Sequence, residues 1–262
     1  MVKVNSERFF YLLRNFSKVF AGGKTDSESG QKYNIKKVVV HERFRRTTAG
    51  VVNDIAVITM KTEFEFGSNI QPICLPFMKS SVPDSGSTVI ASGWGNTKPK
   101  TPSCSPNLLR ADLQIFDFEN SLCKNFIHNF SPKYSVLCVH SILSCTCDGD
   151  SGGPLTMEVD GVCTLVGITS QGFQCGIEGY GSLHMNVSYY LDWIIDNISK
   201  HKFIHHFRQV MKGSLSIRKS KEDYGNCLTV DDTIMLAPGN CKQIDSGAIS
   251  LTKQLDIPLL NE

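Results

Sequence analysis

No run of 18 apolar residues occurs in the 262-residue chain, so no segment reads as a membrane-spanning helix. Charge of one sign is equally scarce: 27 Lys and Arg stand against 25 Asp and Glu, a net +2. So small an excess gives no reason to expect nucleic acid or an acidic membrane surface as a partner. No Cys-x-x-Cys pair and no His/Cys spacing of the zinc type is present, so no metal site is expected. The opening residues Met1-Val2-Lys3-Val4-Asn5-Ser6-Glu7-Arg8 place charge where an export signal needs an apolar core.

What is present is ordinary in bulk and unusual in cysteine. At 41% hydrophobic and 20% charged, the composition is that of a globular protein. The length allows one large all-β domain or two smaller ones with ample core. The ten cysteines are best explained as disulfides of an oxidising compartment. Asn-x-Ser triplets at Asn15, Asn129, Asn186 and Asn197 are compatible with a secretory, glycosylated protein. A secreted composition without an export signal leads to the expectation of a missing upstream portion.

Residues 1–19 carry the mixed stretch Phe9-Phe10-Tyr11-Leu12-Leu13, compatible with a short helix or a loop feeding a strand. From Val19 short β runs alternate with turn residues, as in Val19-Phe20-Ala21 before Gly22-Gly23, and later Val38-Val39-Val40. Strands at that spacing predict a sandwich or barrel.

The informative stretch is Cys147-Asp148-Gly149-Asp150-Ser151-Gly152-Gly153-Pro154-Leu155. Glycines on both sides of one serine leave little but backbone near its hydroxyl, so another backbone can approach closely. The N–H groups of Gly149 and Ser151 can converge on one spot, as an oxyanion hole for acyl transfer requires. A Gly-rich turn with an incidental serine is the bland alternative, but the string from Asp148 to Leu155 is too particular for it.

This string resembles the nucleophile loop of the chymotrypsin/trypsin-like serine proteases. Other segments resemble the same family in the same order. Asn53-Asp54-Ile55-Ala56 is similar to the strand start that carries the family's histidine-orienting aspartate, and an acid at the edge of a buried strand must be paired. Gln71-Pro72-Ile73-Cys74-Leu75-Pro76 looks like the connection between the family's two barrels, and Ala91-Ser92-Gly93-Trp94-Gly95 like the first strand of the second. Asp117-Phe118-Glu119-Asn120-Ser121-Leu122-Cys123 has helix-start character, and Tyr189 to Asp196 has the spacing of the family's closing helix.

The resemblance implies an all-β, chymotrypsin-like double β-barrel with an incomplete first barrel and a C-terminal helix. It implies a serine endopeptidase working through an acyl-enzyme on a protein or peptide substrate, without cofactor or metal. Ser151 is then the nucleophile, Asp54 the orienting acid, and Gly149 with Ser151 the oxyanion donors. The family's histidine string, Ala-Ala-His-Cys ahead of the aspartate, has no counterpart. His41 alone precedes Asp54, at the end of a β run where the family often has a surface histidine. The chain as it stands is therefore expected to be nearly inactive, and a missing first-barrel segment accounts for the lost base. In the family, Asp150 would pair with a newly cleaved N-terminal ammonium. No Ile-Val-Gly-Gly start exists here, so Asp150 is expected to lack its partner and the pocket to stay zymogen-like.

Cysteine positions match the family's Cys123–Cys138 and Cys147–Cys175 pairs, while a third bridge would need cysteines near Val89 and Met157. Cys74 would need an upstream partner; Cys104 and Cys163 have no counterpart, and pairing with each other is one option that the sequence leaves open. The specificity pocket departs most. Cys145 stands where trypsin-like members carry a floor aspartate, followed by Thr146; the wall reads Ser170-Gln171-Gly172, and Ser182 replaces a glycine. With no carboxylate to offset the desolvation of a cation, a small or apolar side chain is expected in place of Arg or Lys.

Beyond residue 201 the resemblance stops. His201, His205 and His206 suggest either a metal-binding face or a solvated basic tail, and no carboxylate or cysteine completes a ligand set. Cys227 and Cys241 are expected to bridge each other. Leu236-Ala237-Pro238-Gly239-Asn240-Cys241 echoes the family's histidine string with Asn240 in the histidine's place. The chain thus divides into a protease-like unit over 1–201 and an extension over 202–262. That extension is either a disulfide-closed tail or the start of a degenerate second unit. The competing functional reading is a non-catalytic homologue that binds partners or regulates a protease cascade.

Overall fold

The computed structural model describes residues 18–23, 30–47, 50–76, 83–98, 104–117, 123, 133–159, 161–172 and 180–198. Six antiparallel strands close into a barrel: β6 (Thr88–Gly93), β7 (Leu109–Phe116), β8 (Val136–His140), β9 (Pro154–Val159), β10 (Val162–Gly172) and β11 (Ser182–Asn186). Round the barrel their order is β10, β11, β8, β7, β6, β9. Before them come β1 (Lys18–Ala21), β2 (Gln31–Val40) and β5 (Ala56–Met60), which form a three-stranded sheet in the order β1-β2-β5. β3 (Arg45–Thr47) and β4 (Gly50–Val52) pair as a separate two-stranded hairpin. Among the described residues one helix, α1 (Leu191–Ile198), follows the barrel. The architecture is all-β with one complete barrel, a partial set of strands ahead of it and a C-terminal helix, as expected.

Alternation explains the barrel interior. In β7 Leu113 and Ile115 point inward, alternating with exposed Asp112 and Gln114, and they meet Val89, Ala91, Leu137, Val139, Leu155 and Val166. Val89 belongs to this cluster and Met157 packs on it, so apolar contact stands where the family's third disulfide would need cysteines. A second cluster lies on the barrel's outer face: Leu165, Ile168, Leu183 and Met185 pack with Ile55 and Val52 and with Tyr190 and Ile194. β10 and β11 are therefore covered on both sides. Residues 163–170 and 183–186 are all buried, which explains the near-continuous apolar run of β10. Any polar side chain within those two spans is buried as well.

Helix α1 places Leu191, Ile194 and Ile195 in the core and Asp192 in its first turn, where an acid suits the N-terminal partial charge. His41, just after β2, is a packing residue for this helix. Its ring lies 4.9 Å from that of Trp193 and 5.5 Å from that of Tyr190, and its Nδ1 accepts from Arg43 N. Burial is the main reason its pKa is lowered, with Glu42 opposing and Arg43 adding to the effect.

The structure decides two questions about cysteine that the sequence left open. Cys123 and Cys138 are bonded as expected. Cys163 is disulfide-bonded, whereas Cys104 keeps a thiol that donates to Asn96 Oδ1 at 3.4 Å, so Cys104 and Cys163 do not pair. Cys74, expected to need an upstream partner, is disulfide-bonded within this chain. The reason is a parallel bridge between Cys74 and Thr164, with Leu165 N donating to Cys74 O at 2.8 Å, which brings the connection before the barrel against β10. Cys147 is disulfide-bonded too, and its expected partner Cys175 lies outside the described residues. So do Cys227, Cys241, His201, His205, His206, Asn15, Asn129, the stretch 1–17, the interior of the 117–123 segment and the extension 202–262.

The Asn186 triplet is a further correction. Asn186 is buried on β11, its Nδ2 donates to Tyr134 O at 2.9 Å and its Oδ1 accepts from Ser188 N. Both faces of the amide are used inside the fold, so this asparagine is not a surface glycan acceptor.

Candidate active site

The nucleophile loop is shaped by backbone geometry that only a few residues permit. Gly149 and Gly152 hold φ of 98° and 84°, in the left-handed region, and a Cβ on Gly149 would stand 3.0 Å from Gly95 Cα. The turn closes with Asp150 N donating to Cys147 O and Gly153 N to Asp150 O. It is then stitched to β10: Gly152 N donates to Thr169 O at 2.8 Å, and Thr169 N to Gly153 O at 2.9 Å. Ser151 thus directly precedes a pair of glycines anchored to the barrel.

Asp150 locks the loop from beneath. Its Oδ1 accepts from Gly95 N at 2.8 Å and its Oδ2 from Cys147 N at 2.9 Å. A Cβ on Gly93 or Gly95 would run into this carboxylate, so the glycines of Ser92-Gly93-Trp94-Gly95 exist as room for it. Two backbone donors hold this carboxylate, and neither is the ammonium that the resemblance implies. Burial still raises its pKa, the two N–H groups partly offset that rise, and Asp148 adds to it.

Asp54 comes from the other sheet. Asn53 sits at φ 53°, a left-handed conformation that asparagine tolerates, and it is held there by three bonds. Its Nδ2 donates to Arg43 O, its Oδ1 accepts from Tyr190 Oη at 3.0 Å, and its own carbonyl accepts from Ile55 N. This kink lies shortly ahead of β5 and leaves Asp54 buried at 1% exposure. Ser170 Oγ donates to Asp54 Oδ2 at 2.8 Å, both residues being buried. The register of β10 on β11 slips between Thr169 and Gln171, so Ser170 is the extra residue of a β-bulge, and the bulge turns it toward Asp54.

Gln171, the next residue, reaches back to the hairpin. Its Oε1 accepts from Val51 N at 3.1 Å, and a Cβ on Gly50 would lie 2.6 Å from that oxygen. Because Val51 N is a donor, the amide orientation is determined, and Nε2 is left buried without a partner among the described residues. The structure therefore joins Asp54, Ser170, Gln171 and the Ser151 loop around the bulged end of β10.

Among the described residues no histidine pairs with Ser151 or Asp54. His41 packs on α1, His140 lies against the ring of Phe116, and His184 Nε2 meets Ser182 Oγ at 3.1 Å. Cys145 and Thr146 do not form a buried floor. Cys145 is an exposed thiol and, with Thr146, Asp150, Gly93 and Leu143, lines an open cleft of about 360 Å³. Ser182 is half-buried and pairs with Gly172 across the strands; a Cβ on Gly172 would lie 3.5 Å from that of Ser182.

The residue that sequence reasoning missed is His184. It is fully buried, next but one to Ser182 on β11 and directly opposite Thr169 of β10, whose backbone holds Gly152 and Gly153. Burial lowers its pKa from 6.5 to about 3, so it is neutral near neutral pH. Its position two residues beyond a pocket-wall residue, and hence on the same strand face, was the available signal.

Comparison with known proteins agrees with this arrangement. The family model described as Trypsin matches residues 13–194. CLIP domain-containing serine protease B4 of Anopheles gambiae is 35% identical over 169 residues, covering 63% of this chain and 46% of the relative. Trypsin epsilon of Drosophila erecta is 30% identical, with 68% and 66% covered. Phenoloxidase-activating factor 3 of Holotrichia diomphalia is 32% identical, with 64% and 48% covered. The chain thus spans from about half to two thirds of the length of these relatives. A glycine-framed serine tied to β10, a buried aspartate bonded to Ser170 and a matched family model over most of the chain lead to one conclusion: the chain belongs to the trypsin family.

Proposed function

We propose that this protein is a serine endopeptidase acting on protein substrates through an acyl-enzyme at Ser151. The Ser151 hydroxyl attacks the scissile carbonyl, and the N–H groups of Gly149 and Ser151 receive the oxyanion. Asp54 orients the general base, and Ser170 holds Asp54 in turn. A histidine from outside the described residues takes the Ser151 proton and returns it to the leaving amine. The reading is supported above all by the Ser170–Asp54 bond of 2.8 Å, which spans 116 residues and ties a buried acid to the strand that anchors the nucleophile loop. Five described cysteines in disulfides, Cys74, Cys123, Cys138, Cys147 and Cys163, support an extracellular setting.

A non-catalytic homologue within a protease cascade is the second reading. It is favoured by the engagement of His41, His140 and His184 elsewhere and by the exposed Cys145 in place of a charged pocket floor. A fluorophosphonate probe separates the two. The 262-residue chain should label slower by several orders of magnitude than a chain preceded by a segment bearing Ala-Ala-His-Cys, and Ser151→Ala should abolish labelling in both. Rapid labelling of the 262-residue chain would show that the base lies within it. No labelling of the extended chain would favour the homologue.

A further inference from the structure

Ser182 and His184 share one face of β11 at the end nearest the nucleophile loop. Ser182 Oγ and His184 Nε2 meet at 3.1 Å, while His184 Nδ1 is buried without a partner among the described residues. Two tautomers satisfy the contact. If Nδ1 carried the proton, a buried N–H would be orphaned, and orphaned donors are rarer in folded proteins than under-used acceptors. The tautomer protonated at Nε2 leaves only an unused lone pair. In that tautomer Nε2–H donates to Ser182 Oγ, and the serine's own hydrogen is released to point away from the imidazole.

The direction away from the imidazole is the half-exposed side of Ser182, across from Gly172 at the open end of the β10–β11 pair. The donor offered there carries no net charge. Burial alone lowers the pKa of His184, so the imidazole supplies no compensating cation. A carboxylate entering the site would lose hydration without a positive partner, and a guanidinium or ammonium would meet a donor where it needs an acceptor. A side-chain carbonyl suits the site: it accepts one hydrogen bond and brings no charge.

Resting on the endopeptidase reading, we infer that Ser182 recognises a carboxamide, the side chain of glutamine or asparagine, at the residue before the scissile bond. His184 is the positioning residue that fixes the serine hydroxyl. This departs from the small or apolar preference expected from the residue types alone, which do not reveal the buried imidazole behind Ser182.

The test uses the 262-residue chain and product-type tripeptides that differ only in the last residue: Gln, Asn, Leu, Glu or Arg. Binding is measured by calorimetry, and the ring ¹⁵N resonances of labelled histidine report on His184, assigned with the His184→Gln variant. The Gln or Asn peptide should bind about tenfold tighter than the Leu peptide, the worth of one well-made hydrogen bond. It should also move the His184 resonances. Ser182→Ala should erase the preference for Gln and Asn over Leu, and His184→Gln, whose amide reproduces the Nε2 donor, should retain part of it. Equal or tighter binding of Leu, Glu or Arg overturns the inference and leaves the endopeptidase reading standing. Absence of binding by every peptide to the folded chain overturns the inference, while labelling of Ser151 in the histidine-bearing chain decides the endopeptidase reading separately.

Discussion

Titrating the stability of the fold tests the burial of His184 directly. The imidazole has a pKa of about 3 in the folded chain against 6.5 when free, because burial penalises its charged form. For a base whose pKa is depressed by folding, the unfolded state binds the proton first. Stability is therefore fully present above pH 6.5 and is lost as pH falls from 6.5 toward about 3. The slope is about 1.4 kcal/mol per pH unit, so the loss reaches ~3 kcal/mol at about pH 4. That is a large share of the roughly 5–15 kcal/mol typical of a domain.

Urea unfolding of the oxidised protein between about pH 7 and pH 4, with wild type and His184→Gln run side by side, isolates this group. The other histidines and the carboxylates contribute equally to both proteins and cancel in the difference. Whatever the substitution costs near neutral pH, the wild type's stability relative to the variant should fall by about 1.4 kcal/mol for each unit below 6.5. A difference that stays flat across the whole range would show that His184 takes up its proton in the folded state. The imidazole would then be in contact with water or an acid, and the neutral site built on it would be wrong.

The carboxylate beneath the nucleophile loop gives a second set of outcomes. Gly95→Ala should destabilise by about 2–4 kcal/mol, because its Cβ meets the Asp150 carboxylate and breaks charge-assisted bonds from Gly95 N and Cys147 N. Adding Asp150→Ala should recover part of that loss in a double-mutant cycle, and strict additivity would refute the clash. Since burial raises the Asp150 pKa, its contribution is fully present below 3.8 and falls as pH rises through the folded value; Asp150→Asn should remove that fall from the stability curve. Ser170→Ala should cost about 1.5–3 kcal/mol in urea unfolding and should slow labelling of Ser151 in a histidine-bearing chain, because Asp54 loses its donor. A change under about 0.5 kcal/mol would mean that water replaces the hydroxyl.

Much of the site is readable from residue types because its chemistry constrains them tightly. Glycines at 149 and 152 are needed for a positive φ, and Gly93 and Gly95 leave the space that Asp150 fills, so both segments carry a local signature. Asp54 is legible as an acid at the start of a buried strand. What a linear reading does not yield depends on register. Ser170 faces Asp54 only because β10 gains one residue on β11, and nothing in Thr169-Ser170-Gln171 announces a bulge. His184 reads as one more strand residue until β11 is found to be covered on both faces. Asn186 reads as a glycan acceptor for the same reason, since burial is a property of the neighbouring strands and not of the triplet. The disulfide of Cys74 likewise depends on where the connection before β6 crosses β10.

These register-dependent contacts share one element. Ser170 holds Asp54, Gln171 holds Val51, and Thr169 holds Gly152 and Gly153, so three successive residues of β10 bind three parts of the site. The partners of Ser170 and Gln171 lie 116 and 120 residues away, in the segments that precede the barrel. β10 is thus the common anchor of the aspartate and the nucleophile loop. The placement of Asp54 against the Ser151 loop is therefore a property of the bulge, independent of the base proposed to bridge them. A β10 straightened by deleting Ser170 would restore ladder pairing to Thr169 and Gln171, and it would remove the donor to Asp54 and re-aim Gln171 together. The deletion should consequently abolish fluorophosphonate labelling of Ser151 in a histidine-bearing chain far more completely than Ser170→Ala, which leaves the bulge in place. Equal labelling of the two variants would show that the hydroxyl alone, and not the bulge, sets the alignment.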